Sequence, residues 1–554
     1  MIRLGLKLTH DGGLAVLDDG ALVVSHEAEK SANLARHAPL DAIDIQETLS
    51  LYGLSLGDVD RVVVDGWIDA QATTGGANGA RAVSVAPYHE NETHRDPLAP
   101  FALEGIDVGG RPTAYTSYMH ATGHAIGTYA TSPWAASQLD ALILVWDGPM
   151  LPRLYRFRAA EGELTPLRPL FGLVGHVHPV FGSYFGPFVP SSNGARPSHS
   201  GLSEEALLGL SGKIMAWAGL GTVDDGLIEV FADAYTQTAN LRWDSIFTFT
   251  RHVYEAAQRA GARDEDVVAT FQAYLGEKLV ASLRKALERD PSLPRRLCFT
   301  GGCALNIAWN SRLRASGLFE DIWVPPFPND AGSALGAAAA DRVAAGEAPA
   351  IAWDVYRGPP LVDSVPSAGW RAEPCDLRQL AALLHESGEP IVFLSGRAEL
   401  GPRALGNRSI LCSAVRPETK DLLNEMKLRE PYRPVAPICL EERAAEVFDP
   451  GSPDPYMLFT HIVRAPWRER TPAIVHVDGT ARLQTISARQ NPAVAELLEH
   501  YRRLSGIPLL CNTSANLKGS GFFPDLRSAT AWPAARQVWC DSVLYRHPAH
   551  GEAT

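Results

Sequence analysis

Residues 4–25 read LGLKLTHDGGLAVLDDGALVVS, and this stretch decides the fold. Leu4 to Leu6 is an apolar run that predicts a strand. His10-Asp11-Gly12-Gly13 is a turn, and Leu14 to Leu17 runs back. Asp18-Asp19-Gly20 turns again before Ala21 to Ser25. Asp-Gly between apolar runs is a strong hairpin signal. A second unit of the same form begins at Ala141. Leu142 to Trp146 predicts a strand ending in Asp147-Gly148, followed by Leu154 to Phe157 and a Glu161-Gly162 turn.

Two hairpin units, each with an acidic residue after its first strand, point to a duplicated lobe with its ligand site in the cleft between copies. That pattern fits an actin-like, sugar-kinase-like α/β fold. Strand–Asp–Gly is common, so chance repetition explains the pattern equally well on this feature alone. With 554 residues the chain exceeds one core, since cores stop growing near ~250–300 residues. A formal charge of −13 speaks against a protein that coats nucleic acid or anionic membrane. The seven cysteines, Cys298, Cys303, Cys375, Cys412, Cys439, Cys511 and Cys540, have no CxxC spacing. They read as reduced thiols of a cytoplasmic protein. No secretion signal or apolar run of spanning length is recognised.

Residues 68–100 and 173–203 read as long loops, which in compact domains are usually lids or disordered segments. Their Gly and Pro content, with Tyr184, Phe185 and Phe188, would suit an apolar or sugar-bearing ligand; a plain surface loop is the alternative. Residues 203–290 read as mainly helical. Gly358-Pro359-Pro360 and Pro366 mark a boundary near residue 365, giving domains 1–365 and 366–554. Asp376 to Glu386 then predicts a helix leading into a strand from Pro390 to Leu394.

His120-Ala121-Thr122-Gly123-His124 puts two imidazoles one helical turn apart, a spacing that can hold a metal. No Glu follows the first His, so a metalloprotease lacks its base here. A bare HxxxH is more often a pair of ordinary helix histidines. Asp330 opens a small-residue helix at 328–337 and is a candidate third ligand. Gly301 and Gly302, after an apolar strand, would let backbone N–H groups approach a phosphate; tight packing explains them as well. Lys213, among glycines at 211–221, could meet a phosphate or stand solvated on a helix. The second half concentrates cations: Arg403 and Arg408 in a glycine-punctuated turn, Lys427 and Arg433 beyond it, and Arg482. Asn512 and Ser514 follow an apolar strand. Any single Arg is usually a surface charge. Together these motifs predict a site for phosphoryl and carboxyl-like oxygens.

In order, the motifs THDGGLAV, HATGH, SGKIMAWAGLG, FTGGCALN, PNDAGSALGAA, SGRAELGPRALGNRSI, LREPYRPVAP, HVDGTARLQ and CNTSAN span nearly the whole chain. Together they resemble the nodulation and cephem O-carbamoyltransferase family. The resemblance implies an N-terminal actin-like (ASKHA) two-lobed domain and a C-terminal YrdC-like α/β domain. It implies that the C-terminal domain makes carbamoyl adenylate from carbamoyl phosphate and ATP. The N-terminal domain would pass the carbamoyl group to a hydroxyl of a small molecule. By resemblance the metal ligands are His120, His124 and Asp330, the metal Fe(II), with Mg(II) accompanying ATP. Lys427, Arg433, Arg482, Asn512 and Ser514 would meet carbamoyl phosphate and ATP, with Arg403 and Arg408 nearby. Lys213, Gly301, Gly302 and Asn306 would meet the adenylate. His10 matches the transfer-site histidine and is expected to act as general base, with Asp11 orienting it or the ligand. A homodimer is expected by family.

Two stretches depart from the family pattern: His26-Glu27-Ala28-Glu29-Lys30, and Asp147-Gly148-Pro149-Met150. Both are expected near the acceptor and nucleotide cleft, and they suggest the antibiotic-tailoring branch. A small-molecule kinase of the same fold would leave the C-terminal cations idle. A threonylcarbamoyl-adenylate system acting on transfer RNA conflicts with the acidic balance. A non-enzymatic nucleotide-binding regulator would bind ATP without consuming carbamoyl phosphate.

Overall fold

The computed structural model describes residues 1–31, 35, 37–41, 44–74, 81–108, 110–190, 204–238 and 244–547. Strands β1 (Ile2–Lys7), β2 (Gly13–Asp18), β3 (Ala21–Glu27) and β4 (Arg61–Asp65) are followed by β5 (Gln71–Thr74), β6 (Arg81–Ser84), β7 (Phe101–Val108) and β8 (Arg111–Tyr118). Helices α1 (Ile45–Ser50) and α2 (His120–Ala130) complete this segment. Next come β9 (Ala141–Val145), β10 (Arg153–Arg158), β11 (Glu163–Pro166), β12 (Arg296–Thr300) and β13 (Asp321–Trp323). Among these strands run α3 (Val177–Gly182), α4 (Glu204–Ala218), α5 (Asp225–Thr238), α6 (Ser245–Ala260), α7 (Asp264–Arg289) and α8 (Ile307–Ala315). Helix α9 (Ser333–Ala344) precedes the C-terminal part.

The chain divides into one unit of residues 1–131 with 330–554, and another of residues 132–329. In the first, a sheet runs β3-β2-β1-β4-β8-β7. β1, β2 and β3 are successive antiparallel hairpins, while β4 and β8 lie parallel to β1 and to each other. In the second, a sheet runs β11-β10-β9-β12-β13, again two hairpins and then two parallel strands. The duplication expected from the two Asp-Gly units is therefore present over five strands of each sheet, with β7 an addition at the edge of the first. β1, β2 and β4 are buried on both faces, and alternate residues Leu4, Leu6, Leu14, Val16, Val62 and Val64 build one apolar core.

Helix α9 lies against β1, β2 and β4 and crosses α2 closely. A Cβ on Gly336 would sit 2.2 Å from the carbonyl oxygen of Gly123. Only glycine permits this approach, which sets the ends of α2 and α9 beside each other.

Residues 371–546 form an eight-stranded sheet of mixed direction. At its centre, strands Ile391–Leu394, Arg408–Cys412, Leu509–Ser514 and Ala436–Leu440 pair antiparallel in that order. Its core, which includes Leu380, Phe393, Ile438, Leu497 and Leu510, is its own. The helix expected after Cys375 spans Leu377–Ser387, with Asp376 accepting from Gln379 N–H and Gln379 answering in a capping box.

The helical reading of 203–290 holds in α4 to α7. The 68–100 stretch is not one loop: it carries the β5–β6 hairpin, and its residues 75–80 lie outside the described residues. Residues 191–203 of the second expected loop also lie outside them. Tyr184, Phe185 and Phe188, expected toward a ligand, are buried instead. Phe185 packs on Phe181, which stacks on Phe271 of α7. Their aromatic area is spent on the second unit's core, where it is worth more than at a wet loop. Among the described residues no helix is long and apolar enough to cross a membrane.

In this core His178 faces Gln272 Oε1 at 2.9 Å, and burial lowers its pKa to about 4. His26 is also lowered to about 4 by burial, with Lys30 adding to it. Both gain protons on unfolding below pH ~6.5, so stability falls as pH drops from there toward 4. Each should cost about 2 kcal/mol between pH 7 and pH 5. Urea denaturation at the two pH values checks this, with His178→Gln expected to lose its share of the acid sensitivity.

Candidate metal centre and cation-lined site

The C-terminal ends of β1 and β4 are neighbours because Leu6 pairs with Val64 in parallel register. Their next residues, Lys7 and Asp65, therefore emerge together. Lys7 Nζ lies 3.1 Å from Asp65 Oδ2 and 2.8 Å from Asp330 Oδ2, and all three side chains are buried. Burial alone would lower the lysine pKa; the two carboxylates more than offset it and raise it. Asp330 is held well below its ordinary value: burial opposes this, and Lys7, His120 and His10 outweigh burial. The Lys7 ammonium also sits 3.7 Å over the Trp67 ring.

Helix α2 delivers His120 and His124 to the same point. His120 Nδ1 lies 2.7 Å from Asp65 Oδ2. A carboxylate only accepts, so Nδ1 carries the proton and Nε2 is bare. That Nε2 lies 3.1 Å from His124 Nε2 and 3.4 Å from Asp330 Oδ1; His124 Nε2 is 3.3 Å from the same oxygen. Three donor atoms of metal-ligand type thus converge in a buried pocket, with His120 oriented from behind by Asp65. The arrangement fits a transition metal bound by two imidazoles and one carboxylate, backed by a second-layer carboxylate. The sequence reading of His120, His124 and Asp330 as one cluster agrees with this geometry.

His10 borders the cluster, its Nε2 3.7 Å from Asp330 Oδ2 and its ring edge-on to Trp67 at 5.1 Å. His10 Nδ1 is 3.2 Å from Asp11 Oδ2, and the other oxygen of Asp11 is 2.7 Å from His37 Nδ1. Against burial, which raises it, the bonds from His10 and His37 bring the Asp11 pKa down to about 2. Tyr88, from the stretch expected to read an acceptor, packs 4.4 Å from His120. Sequence reasoning missed Lys7, Asp65 and His37.

In the second unit Gly301 has φ +88°, and a Cβ there would lie 2.4 Å from Trp146 O. Gly302 N–H donates to Asp147 Oδ1 at 2.6 Å. Asn306 caps α8: its Oδ1 accepts from Trp309 N–H and from Gln272 Nε2. Lys213 stands on α4, half-buried. The glycine turn and its anchor Asp147 are thus one construction, and Lys213 belongs to another element.

The 401–408 turn is held from inside by Glu399, whose Oε1 accepts from the N–H groups of Leu405, Asn407 and Arg408. The buried Arg408 guanidinium donates to the carbonyls of Ser395, Gly396 and Asn407, so it fixes the turn that carries Arg403. Lys30 Nζ donates to Glu27, 2.7 Å away, and to the carbonyl of Gly401, 2.8 Å away. Glu27 in turn accepts from Gly401 N–H. Residues 27–30 therefore brace this turn.

Beyond it, Lys427 Nζ donates to Ser514 O at 2.7 Å and to Asn516 Oδ1. Arg429, not singled out from sequence, donates to Thr513 Oγ1 at 2.9 Å and to Ser514 Oγ. Asn424 Nδ2 donates to Arg433 O, and the Arg433 guanidinium lies 3.8 Å from Glu430. Burial, then the charge of Arg433, lowers the Arg482 pKa to about 10, against Asp454. Asn512 Nδ2 donates both protons, to Ala404 O and Gln484 Oε1. Arg482 Nε and Asn512 Oδ1 are buried with no hydrogen-bond partner. An anionic oxygen would satisfy the Arg482 donor, and a ligand's own donor group the Asn512 acceptor.

The carbamoyltransferase N-terminus family matches residues 2–97 and 103–339, and the carbamoyltransferase C-terminus family matches residues 381–540. The chain is 44% identical to nodulation protein U of Sinorhizobium fredii, over 98% of this chain and 99% of that protein. It is 30% identical to the 3'-hydroxymethylcephem-O-carbamoyltransferase of Streptomyces clavuligerus, over 99% of each. Among solved structures, the activator of the 2-hydroxyisocaproyl-CoA dehydratase from Clostridium difficile with bound ADPNP covers 62% of this chain and 97% of its own. At 14% identity and a TM-score of 0.33, it is too distant to bear on the chemistry. The chain belongs to the carbamoyltransferase family and is a transferase enzyme.

Protein loaded without oxygen should hold about one divalent transition-metal ion per chain, read by elemental analysis. His124→Ala should remove it, and Asp65→Asn should weaken it about 10- to 100-fold. Wild-type protein that binds no metal would refute the assignment.

Proposed function

We propose that the chain is an O-carbamoyltransferase that forms carbamoyl adenylate and transfers its carbamoyl group to a hydroxyl of a small-molecule natural product. The observation that carries this is the pairing, in a carbamoyltransferase, of a cation-lined C-terminal site with an acidic and imidazole site on the first lobe. In this reading residues 1–365 are an actin-like transfer domain and residues 366–554 a YrdC-like adenylating domain. The self-contained core of 375–544 and the repeated strand order support that division.

In the first half-reaction water hydrolyses carbamoyl phosphate: the anhydride C–O–P link breaks, the water oxygen completes the two products, and phosphate leaves carbamate behind. A carbamate oxygen then attacks the α-phosphorus of ATP, and pyrophosphate leaves. Arg482, Arg433, Lys427 and Arg403 would hold the phosphoryl oxygens, and Asn512 and Ser514 the polar remainder; Mg(II) would accompany ATP. Arg408 and Glu399 act by holding the turn.

In the second half-reaction the acceptor oxygen attacks the carbamoyl carbon and AMP leaves with the electron pair of the C–O bond. Gly301, Gly302, Asn306 and Lys213 are the proposed adenylate contacts. His10 Nε2 takes the acceptor proton, with its Nδ1–H held by Asp11. A metal held by His120, His124 and Asp330 would supply positive charge for oxygen atoms that become more negative, and two imidazoles with one carboxylate favour Fe(II) over Mg(II). Trp67 and Tyr88 wall this site and would exclude water from an anhydride that water destroys. The cephem relative's name supports an antibiotic-like alcohol as acceptor. A cytoplasmic homodimer completes the proposal.

With ATP, carbamoyl phosphate and Fe(II) but no acceptor, wild-type protein should release pyrophosphate and form a carbamoyl adenylate detectable by mass spectrometry. Arg482→Ala should reduce both by about a hundredfold or more. His10→Asn should leave adenylate formation intact and lose transfer to a hydroxyl acceptor. A folded wild-type protein without carbamoyl-phosphate-dependent pyrophosphate release would sink the adenylation step.

A further inference from the structure

His476 opens the turn that leads into Arg482, and its own N–H donates to Thr480 O at 2.7 Å. Its Nδ1 lies 3.0 Å from Thr480 Oγ1. Thr480 Oγ1 lies 2.7 Å from Asp478 Oδ1, which also accepts from Thr480 N–H. A carboxylate only accepts, so the threonine hydroxyl must spend its one proton on Asp478. Toward His476 the hydroxyl is then an acceptor. His476 Nδ1 carries the ring proton, and Nε2 is a bare acceptor. Burial is the main cause that lowers the imidazole pKa to about 4; Arg482 adds to it and Asp478 opposes it. The ring is neutral at neutral pH.

Nε2 is nevertheless buried and has no hydrogen-bond partner. Leaving such an acceptor unmet costs about 1–3 kcal/mol. Phosphate oxygens cannot meet it, because they accept too. What meets it is a donor, an N–H or an O–H. The orphaned Oδ1 of Asn512 repeats the pattern, since its amide orientation is fixed by two acceptors at Nδ2. A ligand for this region therefore carries oxyanions for the arginines and donor groups for bare acceptors, and the amino group of carbamoyl phosphate is such a donor.

We propose that His476 Nε2 accepts an N–H hydrogen bond from the amino group of the carbamoyl donor, and so selects it over an acyl phosphate with a methyl group in that place. The inference rests on carbamoyl phosphate being the donor. A site built to accept an N–H rejects the analogue that lacks it, because its buried acceptor is then left unpaired. Asp478 and Thr480 are positioning residues that hold the tautomer.

The test is ATP–pyrophosphate exchange driven by carbamoyl phosphate, with acetyl phosphate as competitor, on the full chain. His476→Leu should raise the carbamoyl phosphate KM about tenfold or more, with the ATP KM and the acetyl phosphate inhibition constant changed by no more than about twofold. Thr480→Val, which keeps the imidazole, should shift the same constant by less. An unchanged preference between the two phosphates in a folded His476→Leu protein overturns the assignment. A rise confined to the ATP KM would place the N–H on the adenine amino group and also overturn it. If wild-type protein shows no exchange, adenylation fails as the function, and 31P NMR titration decides the residue. Weaker binding of carbamoyl phosphate alone in His476→Leu upholds its role; equal or absent binding overturns it.

Discussion

The first lobe depends on one buried ammonium. Lys7 Nζ is buried and lies between Asp65 and Asp330. A buried ion is tolerated only where geometry and hydrogen bonds compensate its desolvation. Two carboxylates supply that, and Lys7 in turn relieves the repulsion between them. The three residues come from β1, from β4 and from the turn before α9, so the network fixes those elements against each other. It also sets the local charge. One cation against two anions leaves a net negative pocket, and two imidazole nitrogens face into it. A further positive charge would complete this group of atoms.

The same logic with the sign reversed governs the C-terminal sheet. There the strand Leu509–Ser514 carries Asn512 and Ser514 at its end, and Lys427 and Arg429 close over it. The turn of 401–408 is not held by its glycines alone. Glu399 gathers three N–H groups beneath it, and Arg408 gathers carbonyls. Lys30 and Glu27 reach this turn from the end of β3, both buried. A charge pair so enclosed costs more to break than to keep. A change at 27–30 is therefore felt at Arg403.

Much of this was legible where the signal is local. The Asp-Gly hairpins fixed β1 to β3 and β9 to β11, because two-residue periodicity and turn chemistry sit within a few residues. His120 and His124 were legible because helical spacing puts them on one face. Lys7 and Asp65 were not. Each ends a run of buried apolar residues, and only the parallel register of β1 with β4 brings them together. A charged residue closing an apolar strand was the one signal available. Tyr184 and Phe185 misled for the opposite reason: glycines and prolines around them read as loop, while Tyr254 of α6, far along the chain, packs on both. The strands after residue 100 were passed over because β7 alternates weakly and leaves most of its side chains partly or fully exposed.

A net charge of −13 thus says little about either site. What matters is how charges are sorted in space. Cations collect where anionic oxygens must be bound and held. Carboxylates and imidazoles collect at the other site, where the proposed reaction needs a base and a metal ion would be held. One pocket serves both poorly, since the carboxylates beside Lys7 would repel a triphosphate and the arginines beside Arg482 would lower the basicity of an imidazole like His10 and repel a metal cation. In the proposed reaction, activation and transfer of a carbamoyl group ask for opposite electrostatics. A chain that carries both environments on separate sheets meets that demand without compromise at either.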